Sequence, residues 1–539
     1  MEIETRHVPP SLSGYTHPMT DTKGNILWVD DEVDLFRPHI LFLEQKGYTV
    51  NTVTNGEDAV SFTQANVVDL VLLDESMPGM GGLATLQQLK DYQPMLPVVM
   101  VTKNEEEALM EEAIGEKISD YLTKPVNPSQ VLIAVKKLLE GRKILGSKTS
   151  QDYIQQFNTI SRQLLSPLDL DEWKALYRSM VENEIELDQH PELGLQQTAT
   201  DQRRECNQEF CKFVEKNYRS WLDDPEVVLS PHIVDKYVFP HLNTPGPVFF
   251  FVIDCMRYDQ WLVMEQHLQE LFTIKKDFYM GIIPSATPYA RNAIFSGYYP
   301  SDIERVLPGL WSTGEDDDYS MNKHEKELLE KLLERRRIKL RTDLKYFKII
   351  DPEFGRQMVG NIASFAKNHL TAIVVNFVDM LAHSRSDTPV LKEIAPDEAA
   401  YRSLTNSWFT HSSLFSMFKQ IAKFPDAKII VTTDHGSVRC LRGAKVLGDR
   451  ATSTNLRYKF GRNVKAEGKP SMNIPNPIDY KLPRRGVTVN YIIAKEDYYF
   501  VYPTDYNKYL SYYRDSFQHG GISLEELILP IVTMEPRGG

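Results

Sequence analysis

The chain has 539 residues, more than one hydrophobic core organises, so the usual domain size of about 100 to 200 residues predicts three or so units. Its 61 Lys and Arg against 74 Asp and Glu leave a formal charge of −13, which opposes non-specific attraction to nucleic acid or an anionic membrane and argues against direct DNA binding. No apolar run approaches the roughly 18 residues of a membrane-spanning helix, and the four cysteines show no CxxC spacing, so a soluble cytoplasmic protein with no membrane insertion is expected.

Residues 1–22 (MEIETRHVPPSLSGYTHPMTDT) contain neither an apolar core nor a small-residue cleavage site and read as a flexible leader rather than a signal peptide. From Asn25, short apolar strands alternate with amphipathic helices: ILWVDDEVD, a helix over 34–46, YTVNTVT, VVDLVLLDESMPG, LPVVMVTK and ISDYLTKPVN. That alternation predicts a parallel α/β sheet over 23–146, whose functional groups collect at the carboxyl ends of the strands. Asp30 and Asp31, Asp74, Thr102 and Lys124 all fall at such ends. Clustered carboxylates repel one another, so either a divalent cation sits among them or their pKa values are raised, and Mg²⁺ is the simpler account. With Lys124 offsetting charge, Asp74 is a plausible phosphoryl acceptor, Thr102 supplies a hydroxyl for the new phosphate, and Tyr121 is placed to report the change by turning inward.

The motifs WVDDE, LLDESMPG, VT and YLTKP closely resemble the response-regulator receiver family. That resemblance implies a flavodoxin-like fold, phosphorylation of Asp74 by a sensor histidine kinase, and Mg²⁺ held by Asp30, Asp31, Asp74 and the Ser76 carbonyl. It also implies a switch made of Thr102, Tyr121 and Lys124.

Residues 147–240 carry few strand signals. EFCKFVEKNYRSWL sets Phe210, Phe213, Val214, Tyr218, Trp221 and Leu222 on one helical face, and Asp171 and Glu172 read as the acid-rich start of another helix, so a helical-bundle linker is predicted. No helix-turn-helix pattern is discernible, which leaves the output to 241–539.

There, three apolar runs end in acid: PVFFFVIDCMRYD at Asp254, TAIVVNFVDMLAH at Asp379 and KIIVTTDHGS at Asp434. Continuous apolar runs mark strands buried on both faces, so the three acids are expected along one sheet edge. His383 lies four residues past Asp379, His435 adjoins Asp434, and His519 precedes two glycines expected to let the backbone approach a ligand. Carboxylate with imidazole suits Zn²⁺ or Mn²⁺ better than Ca²⁺, and the ligand number suffices for two ions. In GIIPSATPYARNAIFSGYYP, Thr287 is the candidate nucleophile at a helix start, although Pro284, Ser285 and Pro288 equally suit an ordinary turn.

Asp254, PSAT with Thr287, Asp379 with His383, Asp434 with His435, and His519 are similar to the alkaline phosphatase superfamily in its PglZ-type branch. The resemblance implies one zinc on Asp379, His383 and His519 and a second on Asp254, Asp434, His435 and Thr287. It further implies a phosphodiester or nucleotide substrate, because threonine is the nucleophile of the diesterase members. The groups holding the non-bridging oxygens stay open among Arg291, Asn292, Lys459 and Arg462. The charged segment 314–337 reads as a solvated face, with a lid or a partner surface as the alternative, and the basic stretch 442–485 as a contact for an anionic substrate. Receiver, helical linker and PglZ-type domain in that order resemble the PorX-like response regulators of bacterial type IX secretion. That family implies a PorY-like sensor kinase, phosphorylation-dependent homodimers, and contact with a secretion-motor protein or a sigma factor. Two readings follow: a regulated metal-dependent phosphodiesterase, or a protein-binding output module whose metals are mainly structural.

Overall fold

The structure is a computed structural model that describes residues 22–102, 118–139, 153–190, 194–311, 322–448, 453, 455–484, 486 and 488–538. All but Thr22 of the expected leader lies outside these residues, as does the acidic stretch up to 321. The chain divides into two compact units, Met1–Asp152 and Tyr153–Gly539.

The first unit is a five-stranded parallel sheet in the order β2-β1-β3-β4-β5, made of β1 (Asn25–Val29), β2 (Thr49–Val53), β3 (Leu70–Asp74), β4 (Val98–Thr102) and β5 (Asp120–Thr123). Successive side chains of a strand face opposite ways, and both faces are covered: Trp28, Leu70 and Leu72 enter one core, Leu27, Val71 and Leu73 the other. Helices α1 (Arg37–Gln45), α2 (Gly56–Ala65), α3 (Gly82–Tyr92) and α4 (Pro128–Leu139) connect and cover the strands. Asp74 and Thr102 are the last residues of their strands, and Asp30 and Lys124 follow theirs directly, so four polar groups share one carboxyl edge.

In the second unit, α5 (Leu170–Asp188) starts on a capping box in which Asp169 accepts from the Glu172 N–H and Glu172 from the Asp169 N–H. Of the predicted stripe on α6 (Gln196–Trp221), Phe210, Val214, Tyr218 and Trp221 are buried, as is Leu222 just past the helix, whereas Phe213 is half-buried; Trp173 and Tyr177 of α5 are buried with them. The sequence reading sets this segment apart as a linker. In the structure its helices share one core with the C-terminal sheet. The Tyr177 ring lies 6.2 Å from that of Phe278, and the Ile283 N–H donates to the Tyr218 hydroxyl oxygen at 2.9 Å. An amphipathic pair of helices must cover its apolar stripe, and here the sheet's flank covers it.

That sheet has six strands: β6 (Val248–Ile253), β7 (Phe272–Met280), β8 (Lys345–Ile349), β9 (Leu370–Val375), β10 (Lys428–Thr432) and β11 (Ile528–Pro536), in the order β7-β11-β10-β6-β9-β8. The four from β10 to β8 are parallel, whereas β11 runs antiparallel to both neighbours. All six residues of VFFFVI are fully buried in β6, each large side chain contributing about 1.5–3 kcal/mol. The three apolar runs are therefore adjacent central strands, and the site lies at their carboxyl ends.

Candidate functional site

Asp254 follows β6 directly, and Cys255 turns the chain there with φ +65°. Asp434 lies two residues past β10, with Oδ1 accepting from the backbone N–H of Cys255 at 3.3 Å and of His435 at 3.1 Å. Asp379 departs from the expected pattern. Strand β9 stops at Val375, and Asp379 sits in the first turn of α7 (Phe377–Asp387) with His383 one turn on. Helical i,i+4 spacing, rather than a strand end, brings this acid and histidine to one face.

Two ligand clusters result. Asp379, His383 and His519 each offer an atom within 4.8 Å of the others, and so do Asp254, Asp434 and His435. The clusters abut, because the His435 and His519 rings stack with centroids 4.2 Å apart and planes at 18°. Thr287 opens α8 (Thr287–Ser296), and its Oγ1 lies 2.9 Å from His435 Nε2. The other ring nitrogen, Nδ1, lies 3.0 Å from the Gly436 carbonyl. That contact assigns the ring proton to Nδ1 and leaves the Nε2 lone pair facing Thr287 and the acids.

Divalent cations fit these clusters. Asp254 Oδ1 and Asp434 Oδ2 are buried with no hydrogen-bond partner among the described residues, a state that costs about 1–3 kcal/mol or more per polar group unless something compensates it. Burial, and then the neighbouring Asp254 charge, hold the Asp434 carboxyl well above the carboxylate range. Burial also pushes Asp379 upward, but His383 and His519 outweigh it and hold that carboxyl low. Asp and His together form an oxygen and nitrogen set suited to zinc.

Arg291, a candidate for contacting phosphate, has another partner. One turn after Thr287, its Nη1 lies 2.6 Å from Asp254 Oδ2 and 3.7 Å from Asp434 Oδ2, while Nε donates to buried Glu325 at 2.5 Å. Glu325 also accepts the Tyr346 hydroxyl and lies 3.6 Å from Lys348 Nζ. The sequence reading misses Glu325, having assigned 314–337 to a solvated face. Glu325 opens α9 (Glu325–Arg336) in line with buried Leu328, Leu329 and Leu332, so the i, i+3, i+4, i+7 signal for burial was present.

The Asn292 amide donates to the Pro288 carbonyl at 2.9 Å. Lys459 is buried, donates to the carbonyls of Ser453 and Asn455 at 3.0 and 2.8 Å, and is pushed down to about 7 by burial. Arg462 alone of the four candidates is exposed. Part of the basic stretch is engaged internally: Arg442 pairs with Glu496 and Asp497, and buried Arg457 with Glu526. The glycines after His519 make room for protein rather than ligand. A Cβ on Gly520 would meet the Tyr458 ring at 2.6 Å, and one on Gly521 the Arg457 guanidinium at 2.3 Å.

In the first unit, Asp30, Asp31 and Asp74 form a third cluster within 4.8 Å. Lys124 Nζ reaches Asp30 Oδ2 at 2.9 Å and Asp74 Oδ1 at 2.7 Å. Burial raises the Asp74 carboxyl against the pull of that ammonium. Ser76 is exposed in the following loop, Tyr121 is 51% exposed, and the Thr102 hydroxyl donates to Glu75.

Residues 233–534, more than half of the chain, match the BREX system PglZ alkaline phosphatase-like domain. The chain belongs to this PglZ alkaline phosphatase-like family. In this PglZ protein, residues 26–136 match the response regulator receiver domain and 143–222 the PorX response regulator linker domain. It therefore carries a receiver, which implies a cognate sensor kinase. Among curated proteins, the alginate biosynthesis transcriptional regulatory protein AlgB of Pseudomonas syringae pv. tomato is 36% identical over 125 residues, 23% of this chain and 28% of AlgB. The transcriptional regulatory protein ResD of Bacillus subtilis is 32% identical over 148 residues, 27% of this chain and 58% of ResD. The chain thus spans less than two thirds of either relative. The crystal structure of the receiver domain of NtrX from Brucella abortus is 30% identical, with TM-score 0.20, covering 21% of this chain and 98% of that one. No helix among the described residues is long and apolar enough to cross a membrane.

Proposed function

We propose that the PglZ domain is a two-zinc phosphodiesterase acting on phosphodiesters or nucleotides, controlled by phosphorylation of Asp74. The observation that carries this reading is the position of Thr287 Oγ1, 2.9 Å from His435 Nε2 at the junction of two three-residue ligand clusters.

Asp379, His383 and His519 would hold one ion, and Asp254, Asp434 and His435 with Thr287 the other. Bound there, zinc supplies Lewis acidity and neutralises charge on phosphoryl oxygens. The chain's own residues provide the rest. Thr287 brings the nucleophilic hydroxyl, and the first turn of the ten-residue helix it opens favours negative charge beside it. Gly436 fixes the His435 ring through its carbonyl, and Arg291 fixes Asp254. In the receiver, Mg²⁺ would be held by Asp30, Asp31, Asp74 and the Ser76 carbonyl, with Lys124 already turned to Asp74.

The linker match and the domain order support a place in cytoplasmic control of type IX secretion, with a PorY-like kinase as phosphodonor and phosphorylation-dependent homodimers as the responding state.

Hydrolysis of a generic aryl phosphodiester by wild type and Thr287→Ala, both folded and at matched zinc content, tests the reading. The expected outcome is turnover by wild type that falls by more than about 100-fold in the variant. If neither protein turns the diester over with both zinc sites filled, either the substrate class is different or the metals are structural, and contact with a secretion-motor protein or a sigma factor becomes the better-supported output.

A further inference from the structure

The hydroxyl that an aspartyl phosphate at position 74 requires is already engaged. Thr102 is 3% exposed, and its Oγ1 donates to Glu75 Oε2 at 2.7 Å. Glu75 is the residue directly after the phosphoacceptor, and its backbone is pinned on both sides: its N–H donates to the Val101 carbonyl at 3.2 Å, and its carbonyl accepts from the Gly82 N–H at 3.0 Å. The Glu75 side chain therefore approaches Thr102 from a fixed anchor just past the end of the neighbouring strand. The Thr102 carbonyl in turn accepts from the Lys124 N–H at 2.6 Å, which ties it to the residue whose ammonium holds Asp74.

From this arrangement we infer that Glu75 is a positioning residue that competes with the phosphoryl group on Asp74 for the Thr102 hydroxyl and so sets how readily the receiver switches. The inference rests on Asp74 as phosphoacceptor and extends that reading. A hydroxyl donates one proton. It bonds either the Glu75 carboxylate or a phosphoryl oxygen, and a charged acceptor makes the first bond one of the stronger kind. Phosphorylation places about two negative charges beside that carboxylate. The repulsion weakens the Glu75 bond and releases Thr102, so the two occupancies exclude each other. A phosphoryl group must therefore offset the Glu75–Thr102 bond before it gains its own, and the unphosphorylated state is favoured by the difference.

Glu75 is not a ligand of the acidic cluster, so removing its carboxylate leaves Asp30, Asp31, Asp74 and Lys124 in place. The test titrates the full-length protein with beryllofluoride and Mg²⁺ by calorimetry. It uses wild type, Glu75→Ala, Glu75→Gln, Thr102→Ala and the Glu75→Ala/Thr102→Ala double variant, each shown folded by thermal unfolding. Glu75→Ala is expected to bind beryllofluoride about three- to tenfold more tightly than wild type. Glu75→Gln, which keeps an acceptor oxygen without charge, should fall between them, and most of the gain should vanish on the Thr102→Ala background. Unchanged or weaker binding by Glu75→Ala overturns the inference. A gain of equal size on both backgrounds also overturns it, because Glu75 would then act as a bare charge and not through Thr102. Wild type that binds no beryllofluoride overturns the phosphoacceptor reading itself, and the inference with it.

Discussion

Arg291 Nη1 stands 2.6 Å from Asp254 Oδ2, so a residue of the second ligand cluster is also one half of a buried ion pair. The same guanidinium serves Glu325, and all three groups are at most 2% exposed. Breaking such a pair from one side costs about 3–5 kcal/mol, because the charge left behind has no solvent to turn to.

Arg291→Met should therefore lose about that much stability in chelator. Zinc should stabilise the variant more than it stabilises wild type, since a bound ion offsets the charge on Asp254 that the guanidinium had been offsetting. Urea denaturation of both proteins with EDTA and with saturating zinc measures the two gains. Equal losses under both conditions would show that Arg291 and the metal do not share Asp254.

The main lines of the site were legible because the chemistry follows strand ends. VFFFVI and KIIVT are largely apolar strands whose next acidic residues, Asp254 and Asp434, fall beside each other at one sheet edge. The run through Asp379 was misread in detail, because NFVDMLAH carries apolar residues at helical as well as strand spacing and the chain leaves the sheet at Val375. Glu325 and Lys348 were not found. The spacing from Glu325 to Leu328, Leu329 and Leu332 marks a buried helix face, but which guanidinium the fold brings to that acid is not local information, and Arg291 lies 34 residues away. The shared core of α5, α6 and the sheet was equally hidden. An apolar helical stripe shows that something covers it, not what does.

Lys459 gives a pH signature. Its folded-state value of about 7 lies below the ordinary 10.5 because burial disfavours the ammonium. A depressed lysine contributes stability that is full above its unfolded value and is lost as pH falls through its folded one. Wild type should thus gain on Lys459→Met by up to about 1.4 kcal/mol for each pH unit between 7 and 10.5. Denaturation of both proteins at pH 7, 8 and 9 checks the slope. A difference independent of pH would mean that Lys459 keeps its proton in the fold.

Phosphoryl mimicry should change the assembly. Beryllofluoride with Mg²⁺ is expected to shift wild type from monomer toward dimer in light scattering. Asp74→Asn, which keeps the shape of the carboxylate that Lys124 contacts at 2.7 Å but not its charge, should show no shift. Identical masses for wild type with and without the mimic would remove dimerisation from the regulatory scheme.

Gly436 is where the DHG turn of the second cluster meets Glu525, in the segment just before β11. A Cβ there would stand 1.9 Å from the Glu525 carbonyl oxygen and 3.4 Å from Arg257 Cγ. The first of these is backbone and has no rotamer to change. Glu525 is held by Asn207 at 3.1 Å and Arg203 at 2.9 Å, both on α6, so the turn itself has to move. The Gly436 carbonyl orients the His435 ring, so a displaced turn takes Nε2 away from Asp254, Asp434 and Thr287 together. Gly436→Ala should lower stability by about 1–3 kcal/mol through overpacking. It should also reduce tightly bound zinc from two ions to one, since Asp379, His383 and His519 lie on other segments. Zinc titration monitored by calorimetry, beside urea denaturation, separates the effects. Loss of both ions would show that the stacked His435 and His519 rings bind as one unit, and retention of both would show that the turn yields without turning His435.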